Sequence, residues 1–144
     1  MIREVNAVDY IDAIASLASE NWSETGFDFE MKLDHELYRR LHESGRMISL
    51  AAFDGDDVIG YATATVAPHI FNTSVHVCMS SALFVTKSKR NSTVPGRLML
   101  EVEKVAKKRG ARFMIWQTRA GTGLADTLRK RGYADSDVAV IKEI

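Results

Sequence analysis

The residues best suited to chemistry lie between Ser81 and Gly110. An apolar run, Leu83-Phe84-Val85, leads into a basic loop, Lys87 to Arg90, then Asn91-Ser92-Thr93-Val94, a Pro95-Gly96 step and Arg97. An amphipathic stretch follows and closes on Lys107-Lys108-Arg109-Gly110. Read as strand, loop and helix, this segment aims the unpaired backbone N–H groups of a helix N-terminus at one point, and the Lys and Arg side chains add positive charge there. The chemistry implied is anion binding. Taken alone, the same cations read equally well as a solvated basic loop.

Two further groups of residues carry chemical options. His76, in a strand-like run, and His69, after Pro68, each offer an imidazole able to accept a proton near neutral pH, although a lone His in a strand is also a common structural residue. The loop from Glu20 to Glu30 mixes Glu20, Glu24, Asp28 and Glu30 with Trp22, Phe27 and Phe29, a combination that favours a cationic amine bearing an apolar or flat part. Its bland alternative is helix capping, with Asp28 as the cap and the acids complementing a helix dipole. No zinc-ligand spacing links the four histidines, so no metal is expected. The single cysteine, Cys78, lies in a strand-like segment and reads as a buried, inert thiol.

Bulk properties narrow the class. A chain of 144 residues is most simply one domain, long enough to bury roughly 70% of the surface its unfolded form exposes. With 46% hydrophobic and 26% charged residues it has the composition of an ordinary globular protein. The N-terminus, Met1-Ile2-Arg3-Glu4-Val5, lacks the regions of a signal peptide, and no apolar run approaches the roughly 20 residues of a membrane helix. A cytoplasmic location without a membrane partner is expected, and the lone cysteine agrees with a reducing compartment. A formal net charge of zero supplies no field for polyanions, which argues against nucleic acid as a partner.

The elements that must position these residues can be read in order. Ile2 to Val5 reads as a strand and Val8 to about Asn21 as a helix with apolar positions Ile11, Ile14, Ala15, Leu17 and Ala18. A second helix runs to about Glu43 on a Leu33, Leu37, Leu41 stripe, with Gly45 as its stop signal. Met47 to Phe53 and Val58 to Val66 are β-prone runs joined by Asp54-Gly55-Asp56-Asp57, a strong hairpin signal. His76 to Val85 makes a fourth strand. Val94 to Lys108 makes a helix with the stripe Val94, Leu98, Val102, Val105 and Ala106. Arg112 to Gln117 reads as a fifth strand, Thr122 to Arg131 as a helix stopped by Gly132, and Val138 to Ile144 as a last strand.

The order β-α-α-β-β-β-α-β-α-β, with Leu83-Phe84-Val85 followed by Arg90 and a Pro-Gly helix start, resembles the GNAT superfamily of N-acetyltransferases along the whole chain. That resemblance implies an α/β (α+β) fold, with a mixed, mostly antiparallel sheet of about six strands flanked by four helices. It also implies acetyl-CoA as acyl donor. In the family a "Leu-x-Val" strand pairs its main chain with the pantetheine arm, a form of strand addition, and Leu83 and Val85 occupy that position. The pyrophosphate loop, Arg-x-x-Gly-x-Gly/Ala in the family, falls on Arg90, Thr93 and Pro95, so it is degenerate in its glycines. Phe84, Asn91, Ser92, Val94, Gly96 and Arg97 complete the cofactor set that the resemblance implies. The short stand-alone chain and its degenerate loop look like members from tailed-phage genomes.

Acetyl transfer needs a neutral amine, a polarised thioester carbonyl and a protonated leaving thiolate. The Tyr that many relatives use on the last helix falls on Leu128, four residues before Gly132, and the family Asn falls on Gly121. The resemblance therefore leaves His76 and His69 as catalytic candidates, with Tyr133 as a weaker acid, and gives Trp22, Glu24, Phe27 and Asp28 to the acceptor wall. The expected partner is an amine-bearing small molecule or protein, attacked directly in a ternary complex. The rival expectation is a catalytically silent member of the fold serving as a binding module, dimeric through edge strands.

Overall fold

The computed structural model describes residues 1–144. Five strands form one sheet in the order β1-β2-β3-β4-β5, antiparallel throughout except for the parallel β4/β5 pair. The strands are β1 (Ile2–Glu4), β2 (Met47–Asp54), β3 (Asp57–His69), β4 (Asn72–Val85) and β5 (Ala111–Ile115). The helices are α1 (Ile11–Trp22), α2 (His35–Glu43), α3 (Val94–Lys108) and α4 (Gly123–Lys130).

Alternation along the strands sorts the core onto two faces. On one, Leu98, Val102 and Ala106 of α3 pack against Ile48, Leu50, Ala62, Ala64, Cys78 and Val85. On the other, Ile14, Leu17 and Ala18 of α1 pack against Met47, Tyr61 and Phe84. Adjacent residues Phe84 and Val85 thus serve opposite layers. β2 and β3 meet at a two-residue turn with Gly55 first at φ +60°, the conformation that a type II′ turn requires there.

Three elements depart from the sequence expectations. A 3₁₀ turn over Ala7–Tyr10, with Asn6 Oδ1 accepting from the Val8 N–H at 3.1 Å, precedes α1, which begins only at Ile11. α2 starts at His35 because Asp34, not Asp28, caps it by accepting the Leu37 N–H at 3.0 Å. Leu33 therefore lies outside the helix, and Tyr38 with Leu41, rather than Leu37, turns toward the core. The expected last strand does not form: residues 138–144 carry no regular structure, with Val138 86% and Val140 92% exposed, and the sheet has five strands.

Candidate functional site

The site is a gap between two parallel strands. β4 and β5 pair only from His76 with Ala111 to Met79 with Ile115, after which β4 continues alone to Val85. The Gln117 N–H donates to Ser80 Oγ at 2.9 Å, the last link before the strands part. On its other side, β4 carries one extra residue against β3: Thr63 faces Ala82 and Ala64 faces Ser80, leaving Ser81 as a bulge where the gap opens. A bulge re-aims the local backbone, and here it does so at the mouth of the gap.

Backbone parity identifies the groups that face this gap. The Thr86 N–H donates to Ile59 O at 3.0 Å, so alternation along the antiparallel pair turns the polar groups of Phe84 toward β3 and those of Leu83 and Val85 outward. β5 does not extend far enough to meet them. One of these outward groups has a partner already, because Arg90 Nε donates to Val85 O at 2.9 Å. Leu83 N–H and C=O and the Val85 N–H remain as an open strand edge. Gly60 fits this contact closely: a Cβ there would stand 2.9 Å from Phe84 O, so a side chain at Gly60 would push β4 away from β3.

Beyond Val85, a short 3₁₀ turn over Lys87–Lys89 leads to Arg90, whose guanidinium lies 5.0 Å from the Phe84 ring centroid. Lys89 Nζ is tied to Asp54 Oδ2 at 2.8 Å, and this ammonium holds the Asp54 carboxyl below its usual value of 3.8. Ser92 Oγ accepts the Val94 N–H at 3.2 Å, and Pro95 in the first turn of α3 has no N–H to satisfy. Gly96 keeps its N–H. Its missing Cβ is also filled from outside: a carbon there would meet Arg131 Nη2 at 2.5 Å. Arg131 follows α4, thirty-five positions away in sequence, so no local motif signals its place at this helix N-terminus.

The gap opens into a cavity of about 900 Å³ lined by β4 from Ser80 to Val85 and by Arg90, Pro95, Gln117 and Arg119. Across it stand Asn21, Trp22, Glu24, Phe27, Tyr38 and Tyr61. Trp22, Phe27 and Phe29 form a cluster with ring centroids 5.0 to 5.6 Å apart, fixed by Trp22 Nε1 donating to Phe29 O at 3.0 Å. Burial raises the hydroxyl pKa of both Tyr38 and Tyr61 above 10.0, and Asn21 beside Tyr61 pulls the other way. Arg119 Nη1 donates to Glu24 O at 2.7 Å and Nη2 to Asn21 Oδ1 at 3.2 Å. Sequence reasoning missed Asn21, Tyr38, Tyr61 and Arg119, which reach the cavity through long-range packing, and Arg131, which reaches the first turn of α3.

The structure brings Leu83, Val85, Arg90, Trp22, Glu24 and Phe27 together around this cavity. Asn91, Ser92, Thr93, Val94, Gly96 and Arg97 follow as the loop and first turn of α3, and Asp28 sits on an exposed loop beside Phe27. The histidines are not brought in. His76 lies in a small hollow with Arg46, Pro68 and Arg109, seven residues down β4 from Leu83, or about 23 Å at ordinary strand rise. His69 is at the exposed β3/β4 hairpin tip, its Nδ1 accepting the Phe71 N–H at 3.2 Å. Tyr133 is engaged elsewhere: its hydroxyl donates to Glu103 Oε1 at 2.6 Å and accepts from Trp116 Nε1 at 3.0 Å, and burial raises its pKa well above 10.0, with the Glu103 bond adding to the shift. Leu128, where many relatives carry a Tyr, is buried.

No curated protein matches the chain in sequence. Among solved structures, the aminoglycoside N-acetyltransferase AAC(6')-Iy, in complex with a CoA bisubstrate analogue, superposes with TM-score 0.76 at 18% identity, covering 100% of this chain and 97% of that one. A transcriptional regulator from Bacillus halodurans C-125 gives TM-score 0.80 at 14% identity, covering 100% and 99%. A ribosomal-protein-alanine N-acetyltransferase from Brucella melitensis biovar Abortus 2308 gives 0.74 at 12%, covering 100% and 97%. These likenesses carry the fold alone. The model of the acetyltransferase (GNAT) family matches residues 11–133, and with the strands parting at Ser80 and the basic loop beyond them, the chain belongs to the GNAT acetyltransferase family.

Proposed function

We propose that the protein is an acetyl-CoA-dependent N-acetyltransferase that acts on an amine bearing a flat or apolar part. The observation that carries the reading is the outward edge of Leu83 and Val85, open except at Val85 O, facing a cavity of about 900 Å³ with aromatic residues on its far wall. The residues present fit the donor: an amide-bearing arm can add to the free edge as a strand, and the Gly96 N–H with the Arg90 and Arg131 guanidinium groups suits a pyrophosphate. When bound, acetyl-CoA supplies an acetyl group activated as a thioester.

The chain's own residues do the rest. The main chain at the Ser81 bulge lies where the strands part and can donate toward a carbonyl held in the gap. Trp22 and Phe27 offer faces to a flat acceptor, and Asp28 and Glu24 attract its ammonium. His76 and His69 enter no step, being at the other end of the sheet. Leu128 is in the core and the Tyr133 hydroxyl is bonded to Glu103, so neither position offers an acid to a leaving thiolate; the proton would come from solvent or from the ammonium formed on the attacking amine, which predicts slow turnover.

The lack of an imidazole at the gap also favours a second reading, a silent member of the fold that binds without transfer. Thermal titration with acetyl-CoA, with ATP as control, comes first. A ligand at about 100 times its Kd adds roughly 2.7 kcal/mol, a rise of several degrees for a domain of this size. A saturable rise followed by thiol release in the presence of a panel of ring-bearing amines supports the enzyme. A rise without thiol release supports the silent module, and no rise at millimolar donor defeats both cofactor readings.

A further inference from the structure

Two side chains assigned above to different substrates are bonded to each other. Arg90 Nη2 donates to Glu24 Oε1 at 3.0 Å, joining the loop after β4 to the loop after α1 across 66 residues of sequence. Both line the same cavity. The guanidinium is held in place, because its Nε is bonded to Val85 O and its face lies against the Phe84 ring. Glu24 is fixed from behind, its own carbonyl accepting from Arg119. The side chains are 37% and 32% exposed, and an ion pair this open to solvent contributes little by itself and is readily exchanged for a more highly charged anion.

We propose that Arg90 is a shared guanidinium for which Glu24 and the donor's pyrophosphate compete, so that donor binding releases the Glu24 carboxylate to receive the acceptor's ammonium. The inference rests on the acyltransferase reading and assigns an order to it. One N–H on Nη2 and both on Nη1 stay open to a pyrophosphate oxygen, but the guanidinium carries one positive charge, so a pyrophosphate drawn to it stands beside the Glu24 carboxylate and the two anions repel each other. Once displaced, the carboxylate is left beside Trp22 and Phe27 without its cation, and a protonated amine restores the pairing. Each substrate then favours the other, because the cost of opening the pair is shared between them. Before the donor arrives, the Glu24 carboxylate is already compensated by Arg90 and attracts the amine less.

The test is calorimetric titration of acetyl-CoA into the full chain, the Glu24→Gln and Arg90→Ala variants and the double variant. Removing the competitor is expected to tighten donor binding in Glu24→Gln by about two- to fivefold, the range of an exposed ion pair. Arg90→Ala is expected to weaken binding, and adding Glu24→Gln to it is expected to change nothing further. Unchanged or weaker donor binding in Glu24→Gln overturns the competition while leaving the acyltransferase reading intact. Failure of both wild type and Glu24→Gln to bind the donor at millimolar concentration removes that reading and the competition with it.

Discussion

Arg131 rests its guanidinium against the first turn of α3, so closely that one added carbon on Gly96 would stand 2.5 Å from its Nη2. The contact is between a backbone and the far end of a flexible side chain, so a Cβ at Gly96 would move the arginine and leave the helix in place. Gly96→Ala is therefore expected to act with opposite signs on two observables. Alanine is the better helix former by up to about 1 kcal/mol, so the melting temperature should hold or rise. Displacing a charge-assisted donor should weaken acetyl-CoA binding by about five- to tenfold. Calorimetry on Gly96→Ala, Arg131→Ala and the double variant checks this: equal losses that do not add place both residues in one contact, while an unaffected affinity removes Arg131 from the site.

The strand, loop and helix around this contact were legible in the sequence because local patterns set them. The Val94, Leu98, Val102, Ala106 stripe marks α3 at Val94–Lys108, and the Asp-Gly pair marks the β2/β3 turn. What stayed hidden depends on distant partners. Arg119 and Arg131 look like ordinary surface cations until folding brings them to Asn21 and Gly96. The tail shows the converse: Val138, Val140 and Ile141 have strong β propensity, but a strand exists only where it is paired, and these residues are exposed. In α2 the Asp34 cap sets the helix start, and Tyr38 rather than Leu37 turns inward.

Arg109 closes α3 onto the first strands and is expected to matter for stability alone. Its Nη1 donates to Gly45 O at 2.9 Å and Met47 O at 2.7 Å, and its Nη2 pairs with Glu4. The side chain is 27% exposed, so solvent replaces these bonds only in part. Arg109→Ala should cost about 2–3 kcal/mol in chemical denaturation. Arg109→Lys should recover less than half of that, since an ammonium cannot reproduce the planar fork across three acceptors. Acetyl-CoA affinity measured on the folded fraction should stay at the wild-type value, because Arg109 lies at the His76 end of the sheet.

Ser49 gives the opposite sign. Its Oγ is buried with no hydrogen-bond partner on the inner strand β2. A lone buried hydroxyl pays desolvation without return, so Ser49→Ala should stabilise the fold by about 1 kcal/mol. Equilibrium denaturation decides it, and a loss of stability would mean that the hydroxyl has a partner in solution.

Tyr133 separates structure from catalysis. Its hydroxyl bridges Glu103 and Trp116, so Tyr133→Phe leaves a carboxylate without its donor and an indole N–H without its acceptor. A loss of about 1–2 kcal/mol of stability is expected. Because the hydroxyl is bonded away from the gap, kcat should change by less than about twofold, whereas loss of a general acid costs on the order of a hundredfold or more. A large fall in kcat with stability retained would return Tyr133 to the reaction.

Cys78 ties stability to alkaline pH. The thiol is fully buried in the α3-facing core, and desolvation raises its pKa from 9.0 to about 11, against a smaller opposing pull from Arg109. Between these values the unfolded chain has released the thiol proton while the folded chain keeps it, so the unfolded state binds fewer protons and stability falls as pH rises. The full effect is about 2–3 kcal/mol, present below pH 9 and lost progressively toward pH 11. Tyr38, Tyr61 and Tyr133 are raised by burial in the same direction and add to the decline at higher pH. The contribution of Cys78 is isolated by comparing wild type with Cys78→Ala in urea denaturation at pH 7.5 and pH 10.5. The variant should be less stable at the lower pH because it leaves a cavity, and the difference should shrink as pH rises. A difference independent of pH would mean that the thiol ionises alike in both states, and that the core around Leu98 and Val102 admits water to it.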